Sequence, residues 1–398
     1  MKKLRYSALV LSVFAAISCT SISYAEDEVK IGMIQPLSGP NAVFGINCQR
    51  GMQLAVDMIN EKGGIKSLGG AKLKLVPADI PTPNTAAQAT QRLITSERVS
   101  GIVGHMVSSA TLAASEVTER MKVPLVTFAF ADQITERGYK YVFQVCPKAT
   151  VFGADQFNYV YDMIAAKGKA PKKVAIMYED TAYGTTQAKG LRAAAQKKGA
   201  DIVVDEAYPL GITDATPLIN KIRATKPDII FPVSYFNDAL LLIRGMRQQG
   251  INTPAIGGAA GYVIDDFRKG LGEFSEGILS VASSNQDLAP KEFADRFEKQ
   301  YGVFATHDAI SHAVAVDVLA KAIEKAGSKD PKKIRDALAT TDTSDGIASA
   351  IPGGRVKFDE HGLNAETFPI LVQWRGTKLV TVYPPKVAKA QPVLPDQL

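Results

Sequence analysis

The sequence predicts an α/β protein with two parallel sheets, each covered by helices. Short apolar runs bounded by glycine or proline alternate with longer segments in which apolar residues recur at helical spacing. This alternation breaks off near residue 147 and then starts again, so a second sheet should follow the first. The 398 residues suffice for two domains, and 46% hydrophobic with 22% charged residues is typical of a globular protein.

Each predicted element follows from a local pattern. The helix at 47–62, for example, places Met52, Val56 and Ile59 on one face and ends at Gly63 and Gly64. The predicted strands are 29–34, 73–76, 99–104, 123–128, 141–145, 174–178, 202–207, 229–233, 255–257, 278–281, 355–358, 368–374 and 379–382. The other predicted helices are 85–97, one that follows the bend at 108–111 and ends at about 121, 152–167, 185–198, 217–225, 238–249, 291–301, 309–326 and 331–339. We expect the strand at 141–145 to leave the first sheet and the proline-rich tail after Pro384 to be draped or disordered.

The N-terminus predicts export. Residues 1–25 combine a basic start, an apolar run at 8–17 that is too short to span a bilayer, and a cleavage pattern ending at Ala25. A lipoprotein site at Cys19 is the alternative, but Ala16 is a poor start for that motif. We therefore expect a cleavable signal peptide and a freely secreted mature protein.

Composition and motifs argue against several functions. The net charge of +6, half of it from the signal peptide, is too small to indicate a nucleic-acid partner. No spacing of cysteine and histidine suggests a metal, and no glycine-rich loop matches a nucleotide-binding pattern, so neither metal nor cofactor is expected. Cys48 and Cys146 could pair after export, although we favour two buried thiols. His105 lies three residues before Ser108, but nothing supplies a catalytic triad, and we predict no enzyme.

The stretch 99–131 is the candidate ligand site. It is predicted to run from a buried strand through a bend containing Ser108, Ser109 and Thr111 into a helix, and then into another buried strand. Hydroxyl groups and free backbone N–H groups at a helix N-terminus form a site for an anion. In the alternative interpretation, which the residues leave equally open, Ser108 and Ser109 only cap the helix.

A series of motifs resembles the leucine/isoleucine/valine-binding group of periplasmic solute-binding proteins. The motifs are IGMIQPLSGPNAVFG, INEKGGI, IVGHMVSSATLAAS, QITERGY, TAYG and IIFPVSY, in that order along the chain. The resemblance implies a type I periplasmic-binding fold, in which two Rossmann-like lobes joined by three crossover strands close on a ligand and deliver it to an ABC importer. The breaks in the pattern then divide the chain into lobe 1 (26–147 and 283–355) and lobe 2 (148–282 and 356–398). The implied partner is the permease of the importer, and the protein is expected to be a monomer.

The resemblance also assigns ligand-binding residues. It implies that Ser108 and the backbone N–H groups of 128–130, Ala129 included, hold a carboxylate. Tyr183 in TAYG and Tyr235 in VSY match tyrosines that face the ligand from the second lobe, and Phe44 matches an aromatic residue of the first.

Two departures concern the ammonium group of an amino-acid ligand. Phe130 stands where amino-acid binders commonly have threonine, and Ala259 lies in a loop where they have an acidic residue. An unpaired buried ammonium would cost about 3–5 kcal/mol, so an amino acid is disfavoured unless Asp132, Asp265 or Asp266 substitutes.

The expected ligand is therefore an aromatic or other hydrophobic carboxylate, held among Phe44, Phe128, Phe130, Tyr183 and Tyr235. Phe128 could equally point into the core of its lobe. A branched-chain or other aliphatic amino acid is the alternative ligand and would require an acidic side chain near the cleft. A ligand-binding sensor is the alternative class of function.

Overall fold

The computed structural model describes residues 28–394, which form two α/β lobes. The strands are β1 Glu28–Gln35, β2 Lys72–Asp79, β3 Gly101–Gly104, β4 Leu125–Thr127, β5 Val142–Gln144, β6 Lys173–Glu179, β7 Asp201–Tyr208, β8 Ile229–Val233, β9 Ile256–Gly257, β10 Leu279–Ala282, β11 Asp342–Thr343, β12 Val356–Lys357, β13 Ile370–Arg375 and β14 Lys378–Tyr383. The helices are α1 Ala42–Glu61, α2 Pro83–Thr95, α3 Ser108–Met121, α4 Gln133–Glu136, α5 Ala149–Ala165, α6 Ala182–Lys197, α7 Thr216–Thr225, α8 Phe236–Gln248, α9 Asp265–Leu271, α10 Lys291–Tyr301, α11 His307–Ala326 and α12 Pro331–Leu338.

The first lobe contains a five-stranded parallel sheet in the order β2-β1-β3-β4-β5. Val29, Ile31 and Ile34 of the inner strand β1 are fully buried, as expected for a parallel strand covered on both faces. Helices α1 and α11 cross where Gly51 meets Ala309, and a Cβ on Gly51 would lie 2.0 Å from the Ala309 carbonyl oxygen. Only glycine permits this close approach, which places the start of α11 beside α1.

The second lobe contains the parallel strands β7-β6-β8, which a bridge between Ile230 and Ala255 links to β9. Strand β9 runs parallel to β10, and β13 and β14 add an antiparallel edge. The chain therefore crosses between the lobes three times: after β5, after β10, and between β12 and β13. The first and third crossings lie side by side, since the Gln144 N–H donates to Gly362 O at 2.7 Å and the Asn364 N–H donates to Gln144 O at 2.8 Å.

The predicted two-sheet α/β architecture is confirmed, with differences mainly at the ends of elements. Helix α1 begins at Ala42 rather than at residue 47, because Gly45 lets the first turn pack closely on the Pro36 carbonyl. The predicted strand at 141–145 does not leave the first sheet but forms its edge as β5, paired with β4. The sequence analysis missed the short elements α4, α9 and β11.

The tail is draped over the second lobe as far as it is described. Gln373 exchanges two hydrogen bonds with the Val393 backbone, at 2.6 and 3.0 Å. The predicted signal peptide lies outside the described residues. Among residues 28–394, no helix combines the length and apolar character needed to cross a membrane.

Candidate functional site

Ser108 opens helix α3 at the carboxyl end of β3 and is buried. Its Oγ accepts a hydrogen bond at 3.2 Å from the Ala131 N–H, in the loop after β4. The Ser108 backbone N–H also acts on the Tyr235 hydroxyl of the second lobe, where it partly offsets the rise in the pKa of Tyr235 that burial causes. Ser108 thus interacts with the loop after β4 and with the opposite lobe. It does more than cap its own helix. The neighbouring Ser109 is partly exposed toward the opening between the lobes.

Both ring nitrogens of His105 face backbone groups, so His105 does not activate Ser108. Its Nδ1 accepts from the Val107 N–H at 2.8 Å, and its Nε2 lies 3.2 Å from the Ile80 carbonyl oxygen. Burial lowers the pKa of His105 to about 3, so the ring is neutral at physiological pH. A structural role was expected from the sequence.

Aromatic side chains from both lobes form a continuous series of ring contacts beside Ser108. Ring centroids are 6.1 Å apart for Phe44 and Tyr235, 5.3 Å for Tyr235 and Tyr183, and 5.8 Å for Tyr183 and Phe130. All four side chains are at most 5% exposed. Four of the predicted ligand-binding residues are therefore brought together, two from each lobe.

The fifth aromatic residue, Phe128, faces its own lobe. Its centroid lies 4.9 Å from Phe130 and 5.3 Å from each of His307 and His312 on α11. Phe128 thus packs between Phe130 and helix α11, within the first lobe. The strand alternation had left this orientation open.

The loop after β9 is held by polar contacts with its neighbours. The Tyr183 hydroxyl donates to the Gly258 carbonyl, and the Ala259 N–H donates to Ser280 Oγ at 3.1 Å. Ala259 has φ of 74° and ψ of −139°, close to a region that glycine alone adopts freely. This buried alanine provides no charge, as expected from the sequence.

The three aspartates considered as substitute partners for an ammonium are engaged elsewhere or exposed. Asp132 accepts from the Thr150 N–H at 3.1 Å and from the Thr150 hydroxyl at 2.5 Å. Asp265 pairs with two basic side chains of α9, and Asp266 is exposed. That one of them substitutes as the partner of an ammonium group stays a prediction.

Sequence reasoning missed a different acid, Asp308, in the first turn of α11. Asp308 is fully buried, and in the described part of the chain neither carboxylate oxygen has a hydrogen-bond partner. His307 Nε2 lies 3.2 Å from Asp308 Oδ1 but makes no hydrogen bond with it. The pKa of Tyr235 is raised most by burial, next by the charge of Glu179 and then by the charge of Asp308. The sequence offered only a weak signal, an acid at a helix start between His307 and His312.

A separate cavity of about 360 Å³ opens between the lobes, outside the aromatic rings. Its first-lobe wall includes Pro81, His105 and Ser109, and its second-lobe wall includes Leu210 and Asp238. Tyr235 also lines it, so this ring separates the cavity from the buried aromatic series. We call it the mouth cavity.

Cys48 and Cys146 are free and buried, as favoured from the sequence. Burial, followed by the charge of Asp308, raises the pKa of the Cys48 thiol. Within residues 28–394, no cluster of histidine, cysteine, aspartate or glutamate could hold a metal ion.

A family model described as "Periplasmic binding protein" matches residues 28–378. The chain belongs to the periplasmic binding protein family. Within it, Leu/Ile/Val-binding protein homolog 7 of Brucella suis is 32% identical over 401 residues, covering 98% of this chain and 99% of that protein. Homolog 8 of Brucella melitensis is also 32% identical, over 406 residues, with the same coverage. The predicted resemblance is thereby confirmed.

Solved structures of this family share the fold. A leucine-binding protein LivK from Thermotoga maritima superposes with a TM-score of 0.80 at 26% identity, covering 89% of this chain and 98% of that one. LivJ of Streptococcus pneumoniae, in complex with isoleucine, gives 0.79 at 28% identity, covering 90% and 100%. A Rhodopseudomonas palustris solute-binding protein in complex with benzoate gives 0.76 at 20% identity, covering 93% and 99%, a likeness of fold alone.

Membership establishes the general type of function. The relatives are substrate-binding proteins of the branched-chain amino-acid transporter type, and the family's place is outside the cytoplasm. Family members bind small ligands and function with ABC transporters. The expected type I fold, with two lobes and three crossovers, is confirmed.

Proposed function

We propose that the mature protein captures a small carboxylate in the periplasm by closure of its two lobes and delivers it to the permease of an ABC importer. The observation that carries this proposal is the meeting of Phe44 and Phe130 with Tyr183 and Tyr235, from opposite lobes, at the N-terminus of α3. Contacts made by both lobes would stabilise the closed state only when a ligand is present.

Ser108 is the proposed carboxylate ligand. Its Oγ already accepts from Ala131, so its hydroxyl proton can be donated to an anion. The Tyr235 hydroxyl lies near the Ser108 N–H, at the positive end of the α3 dipole. We propose that a carboxylate takes over that N–H, together with N–H groups of 128–130. The proposal includes Ser109 at the edge of the site and Ala259 at its wall.

The rings favour a ligand with a hydrophobic body. Aromatic faces from both lobes would bury a flat or branched apolar group, and this supports an aromatic or other hydrophobic acid. LivJ in complex with isoleucine is a relative whose ligand has a branched apolar body. We further propose that the protein acts as a monomer, that it is not an enzyme, and that the lobes divide at 147, 282 and 355.

The test is a thermal-shift screen of the chain from Glu26 onward, after unfolding and refolding to remove bound ligand. The panel contains leucine, valine, phenylalanine, benzoate and hydroxycinnamates, with glucose and spermidine as compounds that lack a carboxylate. Selective binding to the native state raises the melting temperature. A shift with carboxylates alone supports the proposal, whereas shifts confined to the other compounds contradict it.

A further inference from the structure

The buried carboxylate of Asp308 has one candidate cation, the His307 ring, whose Nε2 lies 3.2 Å from Oδ1, and it has no hydrogen-bond donor. Transferring an ionised carboxylate out of water is strongly unfavourable unless a cation and hydrogen bonds replace the lost solvent. Asp308 is fully buried, and in the structure described here neither oxygen has a hydrogen-bond partner. The dipole of α11 compensates part of this cost, because Asp308 lies in the first turn. The dipole does not supply the missing hydrogen-bond donors.

The helix that carries Asp308 begins beside the helix that carries Phe44, the first ring of the aromatic series. Phe44, Cys48 and Gly51 are spaced four and three residues apart and so share one face of α1. Gly51 packs on Ala309, which follows Asp308, and the Asp308 charge acts on the Cys48 thiol. The first turn of α11, in which Asp308 lies, therefore packs on the side of α1 that carries Phe44.

The other end of the aromatic series also leads to Asp308. Phe130 lies 6.3 Å from the His307 ring, centroid to centroid, and His307 adjoins Asp308 in sequence. Tyr235, between these ends, experiences the Asp308 charge. The ring contacts thus run from Phe44, on the face of α1 that meets the first turn of α11, through Tyr235, Tyr183 and Phe130 to His307, the residue before Asp308.

We propose that Asp308 is a specificity-determining residue that binds a protonated amino group of the ligand. This inference rests on the proposed function and narrows it to carboxylates that also carry an amine. It reverses the preference for an amine-free acid, because that preference depended on the lack of an acidic residue at Ala259 and took no account of α11. Asp308 would complement Ser108, with one group for each end of a zwitterion.

The test compares acids that differ only in the amine. The pairs are leucine with 4-methylpentanoate and phenylalanine with 3-phenylpropanoate, titrated calorimetrically into the refolded wild-type protein and into Asp308→Asn. We expect the amine-bearing member of at least one pair to bind wild type about 100-fold more tightly. In Asp308→Asn, that advantage should fall to less than about fivefold, while the affinity of the amine-free acid stays within about threefold of wild type.

Two further variants separate this role from a structural one. Asp317→Asn, in the same helix, removes another buried acid, which accepts from the Ala348 N–H and pairs with Lys321. It should lower stability without changing the preference for the amine. Asp238→Asn removes an acid that lines the mouth cavity, and the preference should survive there as well.

Several results would contradict the proposed role of Asp308. Equal binding of both members of each pair by wild type would overturn the role of Asp308, and so would a loss of the preference in Asp238→Asn. A parallel loss for both members of a pair in Asp308→Asn, with a lower melting temperature, would show that Asp308 is structural. If no acid binds wild type, with or without an amine, the proposed function itself fails and this inference fails with it.

Discussion

Replacing Ser108 with alanine should weaken ligand binding and stability by separable amounts. The hydroxyl is expected to donate a charge-assisted hydrogen bond to the ligand carboxylate, whose loss costs about 1–3 kcal/mol, or roughly 5- to 150-fold in Kd. The same change leaves the buried Ala131 N–H without its 3.2 Å acceptor, which should lower the free energy of unfolding by about 1–3 kcal/mol.

The assay is calorimetry with the tightest acid of the matched pairs, at a temperature where both proteins are folded, together with urea unfolding of each. Ser115→Ala is the matched control, because Ser115 is a buried serine on the same helix whose Oγ donates to Leu112 O at 2.7 Å. The control should lose stability and keep its affinity. A Ser108→Ala protein with unchanged Kd, or an equal affinity loss in the control, would refute the assignment of Ser108.

Three further predictions concern stability, measured by urea unfolding. Burial lowers the pKa of His105 to about 3 and that of His312 to about 4, against about 6.5 in the unfolded chain, so the unfolded state binds protons first as the pH falls. Each histidine should therefore reduce stability by about 2 kcal/mol between pH 7 and pH 5, and a smaller pH-dependent loss in wild type than in His312→Gln would contradict this. Ala259→Gly should stabilise by about 1 kcal/mol, because glycine relieves the strained φ of 74°; a destabilised variant would refute the strain. Gly51→Ala should destabilise by at least about 2 kcal/mol, since its Cβ would meet the Ala309 carbonyl; an unaffected variant would contradict the helix crossing.

The periodic parts of the fold were predictable from the sequence. Strand β8 and helix α10 begin and end where the apolar pattern does, because their register is set by residues within each element. The start of α1 was not predictable in this way. It depends on Gly45 packing against the Pro36 carbonyl, a contact that depends on the path of the preceding loop.

The residues of the candidate site also differ in whether local sequence predicts them. Ser108 was found because strand, bend and helix are adjacent in sequence, and the resemblance supplied Tyr183 and Tyr235. Asp308 was missed because an acid in the first turn of a helix is ordinary, and only the crossing of α11 with α1 brings that turn to the helix that carries Phe44. The charged residue of this site is therefore set by long-range packing, which a local sequence pattern does not predict.

The most direct measurement is a crystal structure of the refolded protein with the tightest-binding acid. We expect the ligand carboxylate within about 3 Å of Ser108 Oγ, enclosed by the rings of Phe44 and Tyr235 from opposite lobes. A ligand seated instead in the mouth cavity beside Pro81 and Leu210, or bound to one lobe only, would contradict it.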